Sequence, residues 1–450
     1  MPSKCLLVLL DGLGDRAHRA LDGRTPLQAA ETPIFDALAS RGGNGLYHAG
    51  LVGQAMPSEL AHFLMFGFPE SGFPGRGALE ALGAGIELKP LVNGQGGDIA
   101  LMARLVSAQE EGGTLRLIAD SPGEALPDET AALYASLPGT DLEGLNVEQQ
   151  HIKGLHGVLL MQSLQQGVCP SPDVTDVNPI RDGAMLIAPR PLARAGNPEA
   201  ANRSARALEK YLGLAYRILD SHPVNRERRE KGLPPMNFLA TQRAGQLRPL
   251  IGFSQRYGLH AACIASGGMF KGLADFLGME FIQGRIDADP GVELDARLKQ
   301  AERALKTHDF VHLHSKAPDV AAHTKDCLRK RDVIAALDNG AGRLLNMAKD
   351  PDLLLVITAD HSTPSSGSLI HSGEPVPLLL HGEGVRRDAV ERFDEVNAAN
   401  GCLGLLRGAE LMLLLLNHLD RARLMGLQDS PEDFVNMPCW PGVYEPFSLD

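Results

Sequence analysis

Long apolar runs, paired cysteines and an excess of basic residues are all missing from this sequence. The apolar run at the N-terminus, Cys5 to Leu10, stops at Asp11. It falls well short of the roughly 18 residues that a membrane-spanning helix needs. It is also too short for a secretory signal peptide and lacks a small-residue cleavage site. We therefore expect neither a membrane partner nor a secretory signal.

The cysteines and the charge balance restrict the cellular setting. The six cysteines are scattered without a Cys-x-x-Cys pair, at Cys5, Cys169, Cys263, Cys327, Cys402 and Cys439. This favours reduced thiols in a cytoplasm over a disulfide framework. With 43 Lys+Arg against 55 Asp+Glu, the net charge is −12, which argues against a nucleic-acid partner. An anionic substrate is still compatible, because a local basic pocket can form in an acidic protein.

The apolar pattern predicts an α/β protein. Residues 4–10 are continuously apolar, which is typical of a parallel strand covered on both faces. Strands alternate with helices again in the second half of the chain, and we expect these strands at 259–265, 309–314, 353–358 and 376–380. Residues 95–250 differ, with weaker strands, such as 184–188, and long polar loops. The glycine-rich stretch 72–85 predicts a loop.

The simplest organisation is one core divided by an insertion. The core, with a mostly parallel sheet between helices, would comprise residues 1–90 and 256–450. Residues 91–255 would form an inserted α+β cap or substrate domain. With 450 residues, 44% of them hydrophobic, the chain is long enough to bury a large core, so disorder is excluded. The sequence leaves a homo-oligomer open.

Three predicted strands are each followed by an aspartate. These are Asp11, Asp319 and Asp360, the last with His361 beside it. In open parallel sheets, ligands bind beyond the carboxyl ends of the strands. Each aspartate alone would more often be a turn or helix-capping residue, but three of them at one edge predict a binding site.

The spacing of these residues predicts a metal centre. Asp319 and His323 are four residues apart and would share one face of a helical turn, while Asp360 and His361 are adjacent and His371 follows. Three aspartates and three histidines without a nearby cysteine suit a borderline divalent metal such as Mn²⁺ or Zn²⁺. The number of ligands suggests two metals, a recurrent arrangement for phosphoryl transfer.

Ser58 is the candidate nucleophile. It lies in MPSELAH at the predicted start of a helix, where its oxygen would face the positive helix end. A metal bound to that oxygen would favour the alkoxide. The competing interpretation is a plain N-cap serine.

Seven segments, in order along the chain, together carry a family resemblance. They read LLDGLGD with LDGRTPLQAAETP, MPSELAHFLMFGF, FPGRGALEALGAGIEL, HPVNRERREKGLPPMNFLATQRAG, HSKAPDVAAHTKD, TADHSTP and HSGEPVPLLLHG. They resemble the archaeal-type, cofactor-independent phosphoglycerate mutases of the alkaline phosphatase superfamily. The resemblance implies an alkaline-phosphatase-like core and an isomerase that moves a phosphoryl group within phosphoglycerate.

The resemblance also implies residue roles. One metal would be held by Asp11, Ser58, Asp360 and His361, and the other by Asp319, His323 and His371. Ser58 would be transiently phosphorylated, and Lys271 would stabilise the phosphate being transferred. Arg76 and Arg243 would bind the substrate. The cofactors would be two divalent ions, Mn²⁺ in preference to Zn²⁺, Mg²⁺ or Co²⁺.

Some positions depart from the family pattern. Residues 119–124 read ADSPGE where the family has Asp-Arg-x-x-Gly-Arg, so the arginines expected to grip the substrate's carboxylate and phosphate are absent. Glu59 replaces an aspartate after the nucleophile, residues 174–179 read VTDVNP, and AAHTKD replaces the common AGHDGD. The basic run at 226–231 is expected to be mostly a solvated helix end.

Three functions therefore stay open. The leading one is a phosphoglycerate mutase, with a small phosphorylated metabolite as its partner. The second, motivated by the missing arginines, is a metal-dependent phosphohydrolase or phosphotransferase acting on another phosphorylated or phosphonate metabolite. The third is a non-catalytic interaction protein, which the complete set of metal and nucleophile positions disfavours.

Overall fold

The computed structural model describes residues 1–93, 95–123, 125–165, 167–422 and 447–449. Glu124 and Cys439, mentioned above, lie outside these ranges. The strands are β1 (Lys4–Leu10), β2 (Gly43–His48), β3 (Leu91–Val92), β4 (Gln95–Gly96), β5 (Ile99–Glu111), β6 (Thr114–Ala119), β7 (Thr140–Leu142), β8 (Leu145–Lys153), β9 (His156–Ser163), β10 (Phe238–Gln246), β11 (Ala261–Ala265), β12 (Glu280–Gln283), β13 (Phe310–Ser315), β14 (Leu353–Thr358), β15 (Val376–His381) and β16 (Gly404–Arg407).

The helices are distributed along the same ranges. The α-helices are α1 (Pro26–Ala29), α2 (Pro33–Ala39), α3 (Ser58–Met65), α4 (Arg76–Gly83), α5 (Pro127–Ala135), α6 (Pro198–Ser221), α7 (Pro223–Glu230), α8 (Phe253–Tyr257), α9 (Gly268–Leu277), α10 (Pro290–Ala304), α11 (Ala317–His323), α12 (Cys327–Gly340), α13 (Leu344–Met347), α14 (Glu395–Ala398) and α15 (Glu410–His418). Short 3-10 helices cover Arg19–Leu21, Glu70–Gly72 and Ala341–Arg343. Within the described ranges, no helix has both the length and the apolar character to cross a membrane.

The chain divides into two compact units. The first contains Met1–Phe73 together with the chain from Ile251 onward, and the second contains Pro74–Leu250. The first boundary thus lies before Pro74 rather than near residue 90. The reason is that α4 packs against β5 and β10 of the second unit.

The first unit is built on one large sheet with strand order β12-β11-β13-β1-β14-β15-β2-β16. The central strand β1 pairs in parallel with β13 and β14, and β11 pairs in parallel with β12 and β13. Among the described strands of this sheet, β15 alone runs antiparallel to its neighbours, β14 and β2. The side chains of β1 from Cys5 to Leu10 are 0% exposed, as the continuous apolar run predicts. The expected α/β core with a mostly parallel sheet is confirmed.

The parallel register fixes where the site forms. Leu10 at the end of β1 pairs with Ser315 at the end of β13, and Leu9 pairs with Thr358 at the end of β14. The segments that follow these three strands therefore leave the sheet side by side. They carry the three aspartates that the sequence analysis selected.

The second unit has an antiparallel sheet of order β10-β5-β9-β8-β7, with β6 paired to β5. Helix α6 packs on one face of this sheet and buries residues such as Leu208 and Tyr211. A register shift between Gln242 and Gly245 makes a bulge in β10, in which Arg243 has a left-handed φ of 54°.

Two local predictions for this unit are wrong. The glycine-rich stretch 72–85 contains α4, because Gly75 and Gly77 allow close packing against β10 and β5. A Cβ on Gly77 would lie 2.1 Å from the carbonyl oxygen of Ala100. Residues 184–188 form no strand, since only isolated backbone contacts, such as Leu186 N to Leu115 O, join them to β6.

Candidate metal centre

Two groups of carboxylates and imidazoles meet at the carboxyl edge of the first unit's sheet. One comprises Asp11, Asp360 and His361, and the other Asp319, His361 and His371. In each group, one ligand atom per residue lies within 4.8 Å of the others. His361 belongs to both groups, so the two sets of donors are contiguous.

Asp11 and Asp360 face each other in the first group. Gly12, with a φ of 64°, turns the chain after β1 and donates its backbone N–H to Asp360 Oδ1 at 3.2 Å. Asp11 Oδ2 lies 3.0 Å from Nε2 of the buried His314. Two buried oxygens, Asp11 Oδ1 and Asp360 Oδ2, accept no hydrogen bond, although His361 Nε2 lies 3.4 and 3.2 Å from them.

Asp319 is the centre of the second group. It lies in the first turn of α11, where Pro318 helps to start the helix, and His323 one turn later reaches Asp319 Oδ1 at 3.2 Å. His371 Nε2 lies 3.6 Å from the same oxygen, while its Nδ1 is 2.7 Å from the carbonyl oxygen of Met56. That backbone contact fixes the ring orientation with Nε2 toward Asp319.

Ser58 is positioned beside these groups. Pro57 is the N-cap of α3 and Ser58 is its first residue, so the serine makes no side-chain capping bond. Its Oγ instead lies 3.0 Å from His361 Nε2, in a position that is only 8% exposed. The N-cap interpretation of Ser58 is therefore wrong. His62, one turn along α3, contacts the Ser58 carbonyl oxygen through Nδ1 at 2.7 Å.

The electrostatics of the site favour a bound cation. Burial, followed by repulsion from Asp360 and Asp319, raises the pKa of the Asp11 carboxyl well above its usual range. Burial opposes charge on Asp360 as well, but the neighbouring His361 and His62 hold its pKa well below the usual range. Likewise, His323 and His361 outweigh burial at Asp319 and lower its pKa to about 2. Buried, mutually repelling carboxylates with orphaned oxygens are the donor set that a divalent metal stabilises.

The described residues thus fit the metal centre predicted from the sequence. All seven predicted ligands lie at this edge: Asp11, Ser58, Asp360, His361, Asp319, His323 and His371. Aspartate and histidine donors without cysteine suit Mn²⁺, Zn²⁺ or a similar ion. The division of the ligands between two ions stays a prediction, because His361 is close to both aspartate groups.

The three predicted substrate-handling residues belong to other elements. Lys271 is on α9 of the first unit, and its Nζ makes an ion pair with Asp275 at 2.6 Å. Arg76 and Arg243 belong to the second unit. There α4 meets the β10 bulge so closely that a Cβ on Gly77 would lie 2.9 Å from the Arg243 carbonyl oxygen. The roles of all three stay predictions.

The structure adds residues that sequence reasoning missed. Thr363 places its Oγ1 2.9 Å from Asp319 Oδ1, and the buried Lys330 reaches the Thr363 carbonyl oxygen at 2.8 Å. In the second unit, the Arg104 guanidinium lies 3.2 Å from Asp120 Oδ2 and donates to Ser121 Oγ at 2.6 Å. Arg104 on β5 therefore lies beside residues 119–124, the segment that contains no arginine.

The chain is similar to known proteins over most of its length. The model of the Metalloenzyme superfamily matches residues 3–418. The "2,3-bisphosphoglycerate-independent phosphoglycerate mutase 2" of Methanocaldococcus jannaschii is 39% identical over 430 residues, which cover 94% of this chain and 95% of that protein. A protein of Methanopyrus kandleri, "2,3-bisphosphoglycerate-independent phosphoglycerate mutase", is 36% identical over 94% of this chain and 98% of its own length.

Two solved structures have a similar fold over most of this chain. The PH0037 protein from Pyrococcus horikoshii is 28% identical and superposes with a TM-score of 0.74, over 94% of this chain and 99% of that chain. The cofactor-independent phosphoglycerate mutase from Thermoplasma acidophilum, also 28% identical, gives a TM-score of 0.61 over 92% of this chain and 99% of that chain.

Proposed function

The chain belongs to the metalloenzyme superfamily and, within it, to the 2,3-bisphosphoglycerate-independent phosphoglycerate mutases, and we propose that it interconverts 2- and 3-phosphoglycerate through a phosphoserine at Ser58. This membership confirms the family resemblance of the sequence. The membership also makes the chain a metal-dependent enzyme whose substrate is a small phosphorylated metabolite.

The observation that carries the proposed phosphoserine is the position of Ser58 Oγ. It lies 3.0 Å from His361 Nε2 at the start of α3, beside both groups of candidate ligands. A phosphoryl group transferred to this oxygen would lie at the positive end of the helix, which favours its negative charge. Divalent ions bound by the two groups would supply Lewis-acid stabilisation of the charge on the transferred phosphoryl group. We propose two such ions, with Mn²⁺ preferred.

The proposed reaction is two displacements at phosphorus. Ser58 Oγ forms a P–O bond as the bond from phosphorus to one glycerate oxygen breaks, and that oxygen gains a proton as the Ser58 hydroxyl loses its own. The glycerate reorients, and its other hydroxyl oxygen then takes the phosphoryl group back from Ser58. Because no phosphate is released, water must be kept out during the reorientation.

The substrate's anionic groups need cationic partners, and we propose the second unit for that role. Arg104 lies beside Asp120 and Ser121, and it pairs in register with His156 on β9. Burial, followed by the positive charges of Arg104 and Arg76, lowers the pKa of His156. Arg104 would thus replace the arginines missing from residues 119–124.

The deciding experiment is phosphorus NMR of the purified protein with Mn²⁺ and 3-phosphoglycerate. We expect a 2-phosphoglycerate resonance that disappears in Ser58→Ala. Free phosphate alone would support the second candidate, a phosphohydrolase, which the arginine-free segment motivates. No change in a protein that binds Mn²⁺ would mean that the substrate is another metabolite.

The cytoplasmic location is also a proposal. It is based on the scattered cysteines, five of which (Cys5, Cys169, Cys263, Cys327 and Cys402) are free thiols among the described residues. Fractionation of cells that express the full chain would test it.

A further inference from the structure

Thr363 connects the two groups of candidate ligands. Its Oγ1 lies 2.9 Å from Asp319 Oδ1 and 3.2 Å from His361 Nδ1, and all three residues are buried. A hydroxyl has one proton to donate, and an ionised carboxylate can only accept. The Thr363 hydroxyl therefore donates to Asp319 and accepts from the Nδ1–H of His361.

This arrangement determines the tautomer of His361. With its proton held on Nδ1, the ring presents the Nε2 lone pair to the space shared by Asp11, Asp360 and Ser58. A metal-binding histidine needs this arrangement, in which one nitrogen is fixed by a hydrogen bond and the other is free to coordinate. Thr363 thus orients one ligand common to both groups and one carboxylate of the second group.

Gly12 makes the space for this hydroxyl. A Cβ on Gly12 would lie 2.5 Å from Thr363 Oγ1 and 2.9 Å from Asp319 Cβ, and the residue has a φ of 64°. Glycine is therefore the residue that fits both the backbone conformation and the contact. The absence of a side chain in the turn after β1 thus leaves room for the Thr363 hydroxyl.

Lys330 holds the backbone of Thr363 in place. Its Nζ, fully buried on α12, donates to the carbonyl oxygens of Thr363 and Gly14, each at 2.8 Å, and lies 3.1 Å from Asp15 Oδ2. The Thr363 N–H also donates to Gly14 O at 3.0 Å. The Lys330 ammonium group thereby connects the segments that follow β1, β13 and β14.

From these contacts we infer that Thr363, braced by Lys330, is a positioning residue that fixes the tautomer of His361 and couples it to Asp319, so that both metal positions form together. The inference rests on the two-ion centre of the proposed function. Thr363 acts through His361 and Asp319 and does not itself touch the substrate.

The test compares Mn²⁺ binding to metal-free protein by isothermal titration calorimetry. Thr363→Val keeps the shape and removes the hydroxyl, whereas Thr363→Ser keeps the hydroxyl. We expect Thr363→Val to weaken the binding of both Mn²⁺ ions by about 10- to 100-fold, the usual effect of removing a partner of a metal ligand, and Thr363→Ser to stay close to wild type. Thr363→Ala is a second variant in case valine prevents folding.

Ser362→Ala is the matched control. Ser362 is the adjacent buried hydroxyl, but its Oγ donates to the Glu374 carbonyl oxygen at 2.9 Å instead of a candidate ligand. Its Mn²⁺ affinity should equal that of wild type, and the melting temperatures of the metal-free variants report folding separately. A purely structural role for Thr363 would lower the melting temperature without changing the affinity.

The outcomes separate the inference from the proposed function. If wild type binds two Mn²⁺ and both Thr363→Val and Thr363→Ala bind them equally well, the inference alone is overturned. If wild type binds fewer than two, the two-ion centre fails and the inference fails with it. Mutase activity of wild type, measured in parallel, shows whether the proposed reaction itself survives.

Discussion

Ser58 Oγ and His361 Nε2 are 3.0 Å apart, although 303 residues of sequence separate them. The contact joins the first turn of α3 to the loop after β14. It puts a hydroxyl next to a histidine that both candidate metal groups share. The first prediction follows from this contact.

Ser58 is expected to carry the phosphoryl group during turnover. Acid-quenched reactions with 3-phosphoglycerate should yield a phosphopeptide that contains Ser58 in mass spectrometry. Ser58→Ala should lower kcat by at least about 10³-fold, as removal of a nucleophile does. Persistence of both the mutase activity and a phosphopeptide elsewhere would exclude Ser58 as the acceptor.

Metal removal should lower both activity and stability. The carboxylates of Asp11, Asp319 and Asp360 repel one another, so a chelated protein retains that repulsion. Free Mn²⁺ at 100 times its Kd should stabilise the fold by about 2.7 kcal/mol per ion. Differential scanning calorimetry after chelation and after Mn²⁺ return would measure this shift, and a melting temperature independent of Mn²⁺ would contradict it.

Gly12→Ala should destabilise the protein more than a comparable change elsewhere. Its Cβ would clash with Thr363 Oγ1, whereas Gly23, with a φ of 76°, has no atom within 4 Å of its Cβ position. Gly23→Ala is therefore the control and should cost about 1 kcal/mol from backbone strain alone. Urea unfolding of both variants would compare the losses, and equal losses would show that the site absorbs the extra methyl group.

Glu395 should make stability pH-dependent. Burial raises the pKa of its carboxyl to about 7, even though it accepts hydrogen bonds from Thr25 Oγ1 and Asp15 N. A carboxyl whose pKa is raised on folding stabilises the folded state most at pH values below its unfolded pKa, which is near 4.5. This stabilisation is lost as the pH rises through the folded pKa of about 7. Glu395 is only partly buried, so solvent screening reduces the effect, and we expect a loss on the order of 2 kcal/mol between pH 4.5 and pH 7.

Glu395→Gln removes this titration. From pH 5 to pH 8, the unfolding free energy of wild type should therefore fall relative to that of Glu395→Gln. Chemical denaturation at several pH values measures that difference. A difference that stays constant would show that Glu395 titrates normally.

Arg104 is expected to act on substrate binding alone. Arg104→Gln should raise the KM for phosphoglycerate by about 10-fold, because a guanidinium contact to an anionic group contributes about 1.5–3 kcal/mol. The control is Arg116→Gln, whose guanidinium pairs with the exposed Glu111. Steady-state kinetics with Mn²⁺ titration on both variants would check the assignment, and an unchanged KM for Arg104→Gln would refute it.

The core and the meeting of three aspartates at one sheet edge could be predicted because both follow from local patterns. Continuous apolar runs gave the strands, and the aspartates after β1, β13 and β14 followed from the rule for carboxyl ends of parallel strands. The α4 helix was missed because glycines that serve close packing look like loop residues in a sequence.

Residues buried by tertiary packing could not be found in this way. Lys330 lies between Arg329 and Arg331, a run that is typical of a solvated surface, and only the packing of α12 buries it. Arg228 was expected in a solvated helix end, yet it is 1% exposed and donates to the carbonyl oxygens of Pro122 and Pro234. Thr363 has no distinctive sequence signal, since its role depends on distances to Asp319 and His361.

The central strand also has a consequence for synthesis of the chain. Within the described residues, the partners of β1 are β13 and β14, which leave the ribosome roughly 300 residues later, about 15 to 60 s at ordinary elongation rates. The second unit, in contrast, is contiguous from Pro74 to Leu250, and its described strands are synthesised long before β1 finds a partner. During translation, the six apolar side chains of β1 must therefore be shielded by a chaperone or by transient collapse until the last third of the chain emerges.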